Sequence, residues 1–130
     1  MSSNRVVLDS SALLALIHRE TGFGKLTLQL LMQSAVSTVN LAEVQSKLVV
    51  SGWNREEAWE DATSAVSEVM AFTAEQAEVA GSMIAETRAF GLSLGDRACL
   101  ALALSLNAPV YTADRAWKSL KLGIRIHTIR

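Results

Sequence analysis

Residues 93–107 limit what this chain can fold into more than any other stretch. They read Ser-Leu-Gly-Asp-Arg-Ala-Cys-Leu-Ala-Leu-Ala-Leu-Ser-Leu-Asn. After Arg97 the run is almost wholly apolar, and a helix of that kind must be buried on nearly every side. It therefore needs a core around it. With 130 residues, half of them hydrophobic, the chain has the material for one such core and reads as a single domain, 1–130. Ser93 and Asp96 have the spacing of a capping box. The segment thus also places a carboxylate at the mouth of a buried helix, where the helix dipole favours the ionised form. A lone Ser-x-x-Asp pair does no more than cap; what adds meaning is where the other acids fall.

Short apolar runs alternate with helical patterns along the rest of the chain. Arg5-Val6-Val7-Leu8, Ala35-Val36-Ser37-Thr38, Val69-Met70-Ala71-Phe72 and Val110-Tyr111-Thr112 read as short strands, and the alternation over 124–129 marks a half-exposed edge strand. Between them the patterns predict helices over 12–17 (capped by Ser10 or Ser11), 25–32, 40–50 (capped by Asn40), 54–67 (capped by Asn54) and 73–91 (opened by Thr73 and closed by Gly91). A short helix is predicted over 115–120. Such alternation implies an α/β domain in three layers, α/β/α, around a central, mostly parallel sheet.

Composition closes off other classes. Cys99 is the single cysteine and cannot form an internal disulfide, in keeping with a reducing, cytoplasmic setting. No apolar run approaches the roughly 20 residues of a membrane span. The opening Met1-Ser2-Ser3-Asn4-Arg5 runs directly into the first strand without the apolar region of a leader. Net charge is −1, but unevenly spread: eight acidic side chains face two arginines between Arg55 and Arg88, whereas residues 115–130 carry five basic side chains and no acid. A basic terminal segment suits either phosphate or a solvated surface.

Asp9 follows the first predicted strand, Asp114 the fourth, and Glu43 and Asp96 stand in the first turns of the helices beginning near residues 40 and 93. In an open parallel sheet, strand ends and helix starts along one edge face a common crevice. Each acid singly has a capping or turn role available. Glu57 shows the contrast: it shares an Asn-x-x-Glu start with Glu43, but no strand end precedes its helix, so capping alone accounts for it. Several carboxylates within about 6 Å repel one another and take up protons unless a cation compensates them. Hard oxygen donors suit Mg2+ or Mn2+ better than zinc. Ions of this kind activate water and stabilise charge on a phosphodiester.

The segments Val7-Leu8-Asp9-Ser10-Ser11-Ala12-Leu13, Asn40-Leu41-Ala42-Glu43-Val44, Leu92-Ser93-Leu94-Gly95-Asp96-Arg97-Ala98 and Tyr111-Thr112-Ala113-Asp114-Arg115-Ala116-Trp117 resemble the four signature segments of PIN domains. The VapC-type toxins of bacterial toxin–antitoxin pairs are the nearest likeness, and the resemblance spans essentially the whole chain. It implies a PIN-like α/β/α fold and a metal-dependent endoribonuclease. It also implies a homodimer restrained by a small cognate antitoxin. Carried onto this sequence, it makes Asp9, Glu43, Asp96 and Asp114 the catalytic and metal-binding acids, with Ser10 and Thr112 as polar support. Asp9 and Asp96, assisted by Asp114, would hold Mg2+ or Mn2+. Glu43 would complete the site. In-line attack by water would leave a 5′-phosphate and a 3′-hydroxyl. Ala116 stands where some members carry a further acid or Asn, removing one candidate ligand for a second ion.

Around these acids, Arg97 and Arg115 are candidates for flanking RNA phosphates or for plain surface roles, and Trp117 for stacking on an unpaired base or for packing under the last strand. Trp53, Trp59 and the apolar face of 25–32 offer a dimer or antitoxin surface, or core. The two histidines, His18 and His127, fall on a helix end and the terminal strand, with nothing to bring them to one phosphate. The rival readings are a PIN-fold interaction module without chemistry, and a small-molecule phosphatase.

Overall fold

Strand β1 (Val6–Leu8) is buried along its whole length and lies at the centre of the sheet. The structure is a computed structural model describing residues 4–130; Met1-Ser2-Ser3, part of the opening segment discussed above, lie outside the described residues. On one side β1 pairs with β2 (Ser34–Ser37) and on the other with β4 (Val110–Thr112). β3 (Glu68–Met70) extends the sheet beyond β2, and β5 (Ile126–Thr128) extends it beyond β4. The order is β3-β2-β1-β4-β5 and every pairing is parallel. Period-two alternation decides what each face receives. Val7 packs with Cys99, Leu102, Val110 and Trp117, whereas Leu8 packs with Ala12, Ala15, Ala113 and Ile129.

Helices α1 (Ser10–His18), α3 (Thr38–Val50) and α4 (Arg55–Ser64) bury Leu13, Leu14, Leu41, Val44, Leu48, Ala58 and Ala62 around Val36. Helix α7 (Leu94–Leu106) supplies Cys99, Leu100, Leu102 and Ala103 to the opposite layer, covered in turn by α5 (Ala74–Ser82). The three-layer α/β/α architecture with a parallel sheet is therefore present. Among the described residues no helix is long and apolar enough to cross a membrane.

Helix α7 forms as its sequence dictates. Ser93 accepts from the Asp96 amide at 3.1 Å, Asp96 accepts from the Ser93 amide at 2.9 Å, and Asn107 ends the helix in the left-handed region at φ +50°.

Other boundaries differ from expectation. The helix predicted over 25–32 shrinks to α2 (Leu28–Leu31), because the Thr27 side chain caps at Leu28 and a 3-10 turn, Phe23–Lys25, occupies the residues before it. This leaves Leu28 and Met32 exposed at 78% and 70%. The helix over 54–67 stops at Ser64. The long helix over 73–91 is broken into α5, α6 (Ile84–Thr87) and a 3-10 turn closed by Gly91. Thr87 turns its hydroxyl back onto the Met83 carbonyl at 2.9 Å, and the Glu86 amide reaches the same carbonyl in a tightened i to i+3 bond. Helix α3 starts two residues before Asn40, capped by Ser37, so Asn40 is interior and Glu43 lies in the second turn rather than the first.

The chain runs from β1 outward to β2 and β3, then crosses back to β4 on the other side of β1. The point where the direction reverses lies between β1 and β4. Crevices beyond strand C-termini at such points are where open α/β sheets bind ligands.

Candidate active site

Asp9 sits at this reversal. It is 3% exposed and caps α1, accepting from the Ala12 amide at 2.8 Å. The Ser11 hydroxyl lies 2.8 and 2.9 Å from the two carboxylate oxygens, and Thr112 Oγ1 donates to Oδ2 at 2.6 Å. Both hydroxyls are themselves anchored: Ser11 Oγ accepts from the Ala113 amide at 2.9 Å and Thr112 Oγ1 from the Asp114 amide at 3.0 Å. The ends of β1 and β4 are thereby tied together through one carboxylate. Burial pushes the Asp9 carboxyl up to about 6; the hydrogen bonds from Thr112, Ala12 and Ser11 oppose the rise, and the Asp96 charge adds to it.

Ser11, rather than Ser10, is the serine beside Asp9; no hydrogen bond links Ser10 to this carboxylate among the described residues. The cap of α1 is likewise Asp9 itself, not a serine.

The second side of the crevice comes from helix starts. Asp96 occupies the capping box of α7, and burial raises its carboxyl, with the charges of Glu43 and Asp114 acting in the same direction. The Glu43 carboxylate lies against the first turn of α7, where a Cβ on Gly95 would overlap it. The buried Asn40 amide donates at 2.9 Å both to Glu43 Oε1 and to the Gly95 carbonyl. Asp114 follows β4, is exposed, and accepts from the Ala116 amide at 3.0 Å. Beneath the acids, burial pushes the Cys99 thiol well up, and the charges of Asp9, Asp96 and Glu43 reinforce the shift.

The four acids therefore share one rim and act on one another electrostatically, from positions spread over more than a hundred residues. They do not form a closed cage: among the described residues no three His, Cys, Asp or Glu side chains stand arranged as ligands of one ion. The donor set nevertheless fits a hard divalent cation. It consists of carboxylate oxygens, two of them with raised proton affinity partly through mutual repulsion, which a cation would relieve.

The model of the PIN domain family matches residues 6–122. This chain is a PIN domain. No curated protein matches the sequence. Among solved structures, the PIN domain resembles the DNA-bound VapBC of Salmonella typhimurium (TM-score 0.77, 18% identity, covering 98% of this chain and 99% of that one). It also resembles VapBC2 of Rickettsia felis bound to a promoter DNA fragment (TM-score 0.71, 21% identity, 95% and 97%). A third neighbour is Mycobacterium tuberculosis VapC20, a toxin that cleaves the sarcin–ricin loop (TM-score 0.71, 19% identity, 92% and 98%).

Two of the residues considered for RNA lie elsewhere in this PIN domain. Trp117 is 1% exposed and packs in the core with Leu100, Val110 and Leu120, so it offers no stacking face. The 3-10 turn Arg115–Ser119 rotates it inward beneath β5. The Arg97 guanidinium turns away from the acids and donates at 2.9 Å to the Ala80 carbonyl, near the C-terminal end of α5. Arg115 is exposed beside Asp114. A groove of about 550 Å3 between α1 and α3 meets the acidic rim only at Ser11 and carries Lys47 and Arg130.

Proposed function

We propose that this PIN domain is a divalent-metal-dependent endoribonuclease, the toxin of a VapBC-type pair. The observation that carries the reading is the meeting of Asp9, Glu43, Asp96 and Asp114 at the strand-reversal crevice, with Asp9 anchored by Ser11 and Thr112. Asp9, Asp96 and Asp114 would hold Mg2+ or Mn2+, with Glu43 completing the set. Bound there, such an ion would lower the pKa of a water and offset charge on the phosphodiester. The chain's own work is to hold the acids: the Ser11 and Thr112 hydroxyls orient Asp9, the capping box holds Asp96, and exposed Asp114, which accepts from the Ala116 amide, stands at the open side of the rim. Attack of a water oxygen on phosphorus, with the P–O3′ bond breaking and the 3′ oxygen taking up a proton, leaves a 3′-hydroxyl on one fragment and a 5′-phosphate on the other, without using the 2′-hydroxyl.

The VapBC neighbours support an antitoxin as protein partner, the reading carries with it a cytoplasmic setting, and exposed Leu28 and Met32 would serve an interface between two copies. The test is to incubate the purified chain with total RNA in Mg2+ or Mn2+, or with EDTA, and to map the new ends. Discrete 5′-phosphate ends that vanish with EDTA are expected, as is growth arrest relieved by the small protein encoded beside it. Intact RNA together with no thermal stabilisation by either ion would leave a non-catalytic PIN module. Cleavage of a small phosphomonoester alone would mark a phosphatase.

A further inference from the structure

We infer that Asn40 and Gly95 are a matched pair of positioning residues that hold the Glu43 carboxylate beside Asp96. The inference rests on the nuclease reading, since it is the acidic rim that gives the position of Glu43 its use. Asn40 stands three residues before Glu43 on the same face of α3, is fully buried, and spends both amide protons on acceptors, Glu43 Oε1 and the Gly95 carbonyl, each at 2.9 Å. With two acceptors in front of it, the amide has one workable orientation, because flipping it would set oxygen against oxygen. Its own Oδ1 is buried without a partner, an arrangement that costs stability and that an apolar side chain of similar size would avoid. What the asparagine provides in return is a bridge between α3 and the mouth of α7 that ends on the Glu43 carboxylate.

Gly95 makes the complementary concession. Its backbone does not lie in the left-handed region, so glycine is not required there by conformation. A glycine in the first turn of a helix costs stability relative to alanine. Its lack of a side chain is what leaves room for Glu43, since a Cβ would overlap the carboxylate and no other atom approaches it as closely. The carboxylate is therefore held on one side by a donor and admitted on the other by an absence.

Three single variants, Asn40→Ala, Gly95→Ala and Glu43→Gln, and the two double variants that combine the first pair with Glu43→Gln, test the assignment. Three readouts are taken from each: Mn2+ affinity from the free-ion EPR signal, RNA cleavage rate, and melting temperature. Asn40→Ala and Gly95→Ala should each weaken Mn2+ binding and slow cleavage on the order of 10- to 100-fold, the range typical of residues that orient metal ligands. Neither should add a further loss in the Glu43→Gln background, because each acts through that carboxylate. Gly95→Ala should melt near the wild type, as only the mobile end of Glu43 must swing aside. If Asn40→Ala fails to fold, Gly95→Ala carries the test by itself. Wild-type Mn2+ affinity and rate in Gly95→Ala, or losses that multiply with Glu43→Gln, would overturn the assignment. A wild-type chain that binds no Mn2+ and leaves RNA intact would instead remove the nuclease reading, and this inference with it.

Discussion

The strand-end side of the crevice and its helix-start side hold their acids by different means. At the strand ends, Asp9 is buried and receives two hydroxyls and a backbone amide, and those hydroxyls are pinned by amides of the β4 segment. At the helix starts, Asp96 is held by the two bonds of its capping box, and Glu43 by one side-chain donor and the space over Gly95. The first arrangement fixes a charge by embedding it and bears the desolvation cost, visible in the rise of Asp9 to about 6. The second leaves its acids half-buried and holds them by fewer bonds, from side chains and a cap rather than from the ends of two strands. A site that must hold a cation and still admit a polyanion uses both, a deeply embedded charge and others left closer to the opening.

The largest effects should come from removing the charge on each side in turn. Asp9→Asn and Asp96→Asn are both expected to lower RNA cleavage by about 1000-fold or more, the loss of roughly 4 kcal/mol of charge stabilisation. Stability should separate them. Asparagine can still cap α1 at position 9, and at position 96 its amide oxygen can still accept from the amide of Ser93, the cap of α7, so Asp96→Asn should melt close to the wild type. Asp9 has a folded pKa raised to about 6 from an ordinary 3.8. Its contribution to stability is full below about pH 4 and is lost as pH rises through 6, about 3 kcal/mol in all. Metal-free wild type should therefore weaken between about pH 4 and about pH 6.5, and the Asp9→Asn protein should weaken less over that range and melt higher at neutral pH. Thermal melts across pH in EDTA check this. Parallel curves for the two proteins would mean that Asp9 is not a strained, embedded charge.

A smaller effect distinguishes the two adjacent serines. Ser11→Ala removes the hydroxyl on Asp9 and leaves the Ala113 amide without its acceptor. It should cost about 1–2 kcal/mol by thermal or urea unfolding and slow cleavage by about tenfold as Asp9 loses its orientation. Ser10→Ala should change neither measurably. Equal behaviour of the two would break the distinction drawn between them.

That pair also marks where sequence stops being informative. The strands, the buried helix with its capping box, and the placement of acids after strands are local features, written in periodicity and spacing within a few residues. All five strands lie within the predicted runs or one residue beyond them. What escaped was decided at long range. Ser10 and Ser11 are chemically the same, and only the rotation of α1 against β4 selects the one facing Thr112. The exchange of Asn40 from cap to bridge depends on a carbonyl 55 positions away. The break in the helix after Thr73 is the local exception: it falls at Met83, where the Glu86 amide adds a tightened i to i+3 bond to the Met83 carbonyl, a shift that a continuous amphipathic pattern does not register.

The smallest expected effects contrast the two arginines that directly follow acids. From sequence they are equivalent candidates for phosphate. In the fold, Arg97 is committed to the Ala80 carbonyl across the α5–α7 contact, while Arg115 lies exposed beside Asp114 on the basic terminal segment. An exposed cation at the mouth of the crevice gains its energy from counterion release on meeting RNA, so its contribution fades with salt. Arg115→Ala should weaken RNA binding by a few-fold at low ionic strength. It should also reduce the slope of log affinity against log salt by about 0.7, the value for one phosphate on a single strand. Arg97→Ala should leave that slope unchanged and instead lower stability by about 1 kcal/mol, because a carbonyl in the last turn of α5 loses its donor. Fluorescence anisotropy over a salt series, with the catalytically impaired Asp96→Asn chain as background to keep the RNA intact, resolves the two. A salt slope that falls for Arg97 rather than Arg115 would place the RNA path along α5, away from the crevice that the strand ends and helix starts enclose.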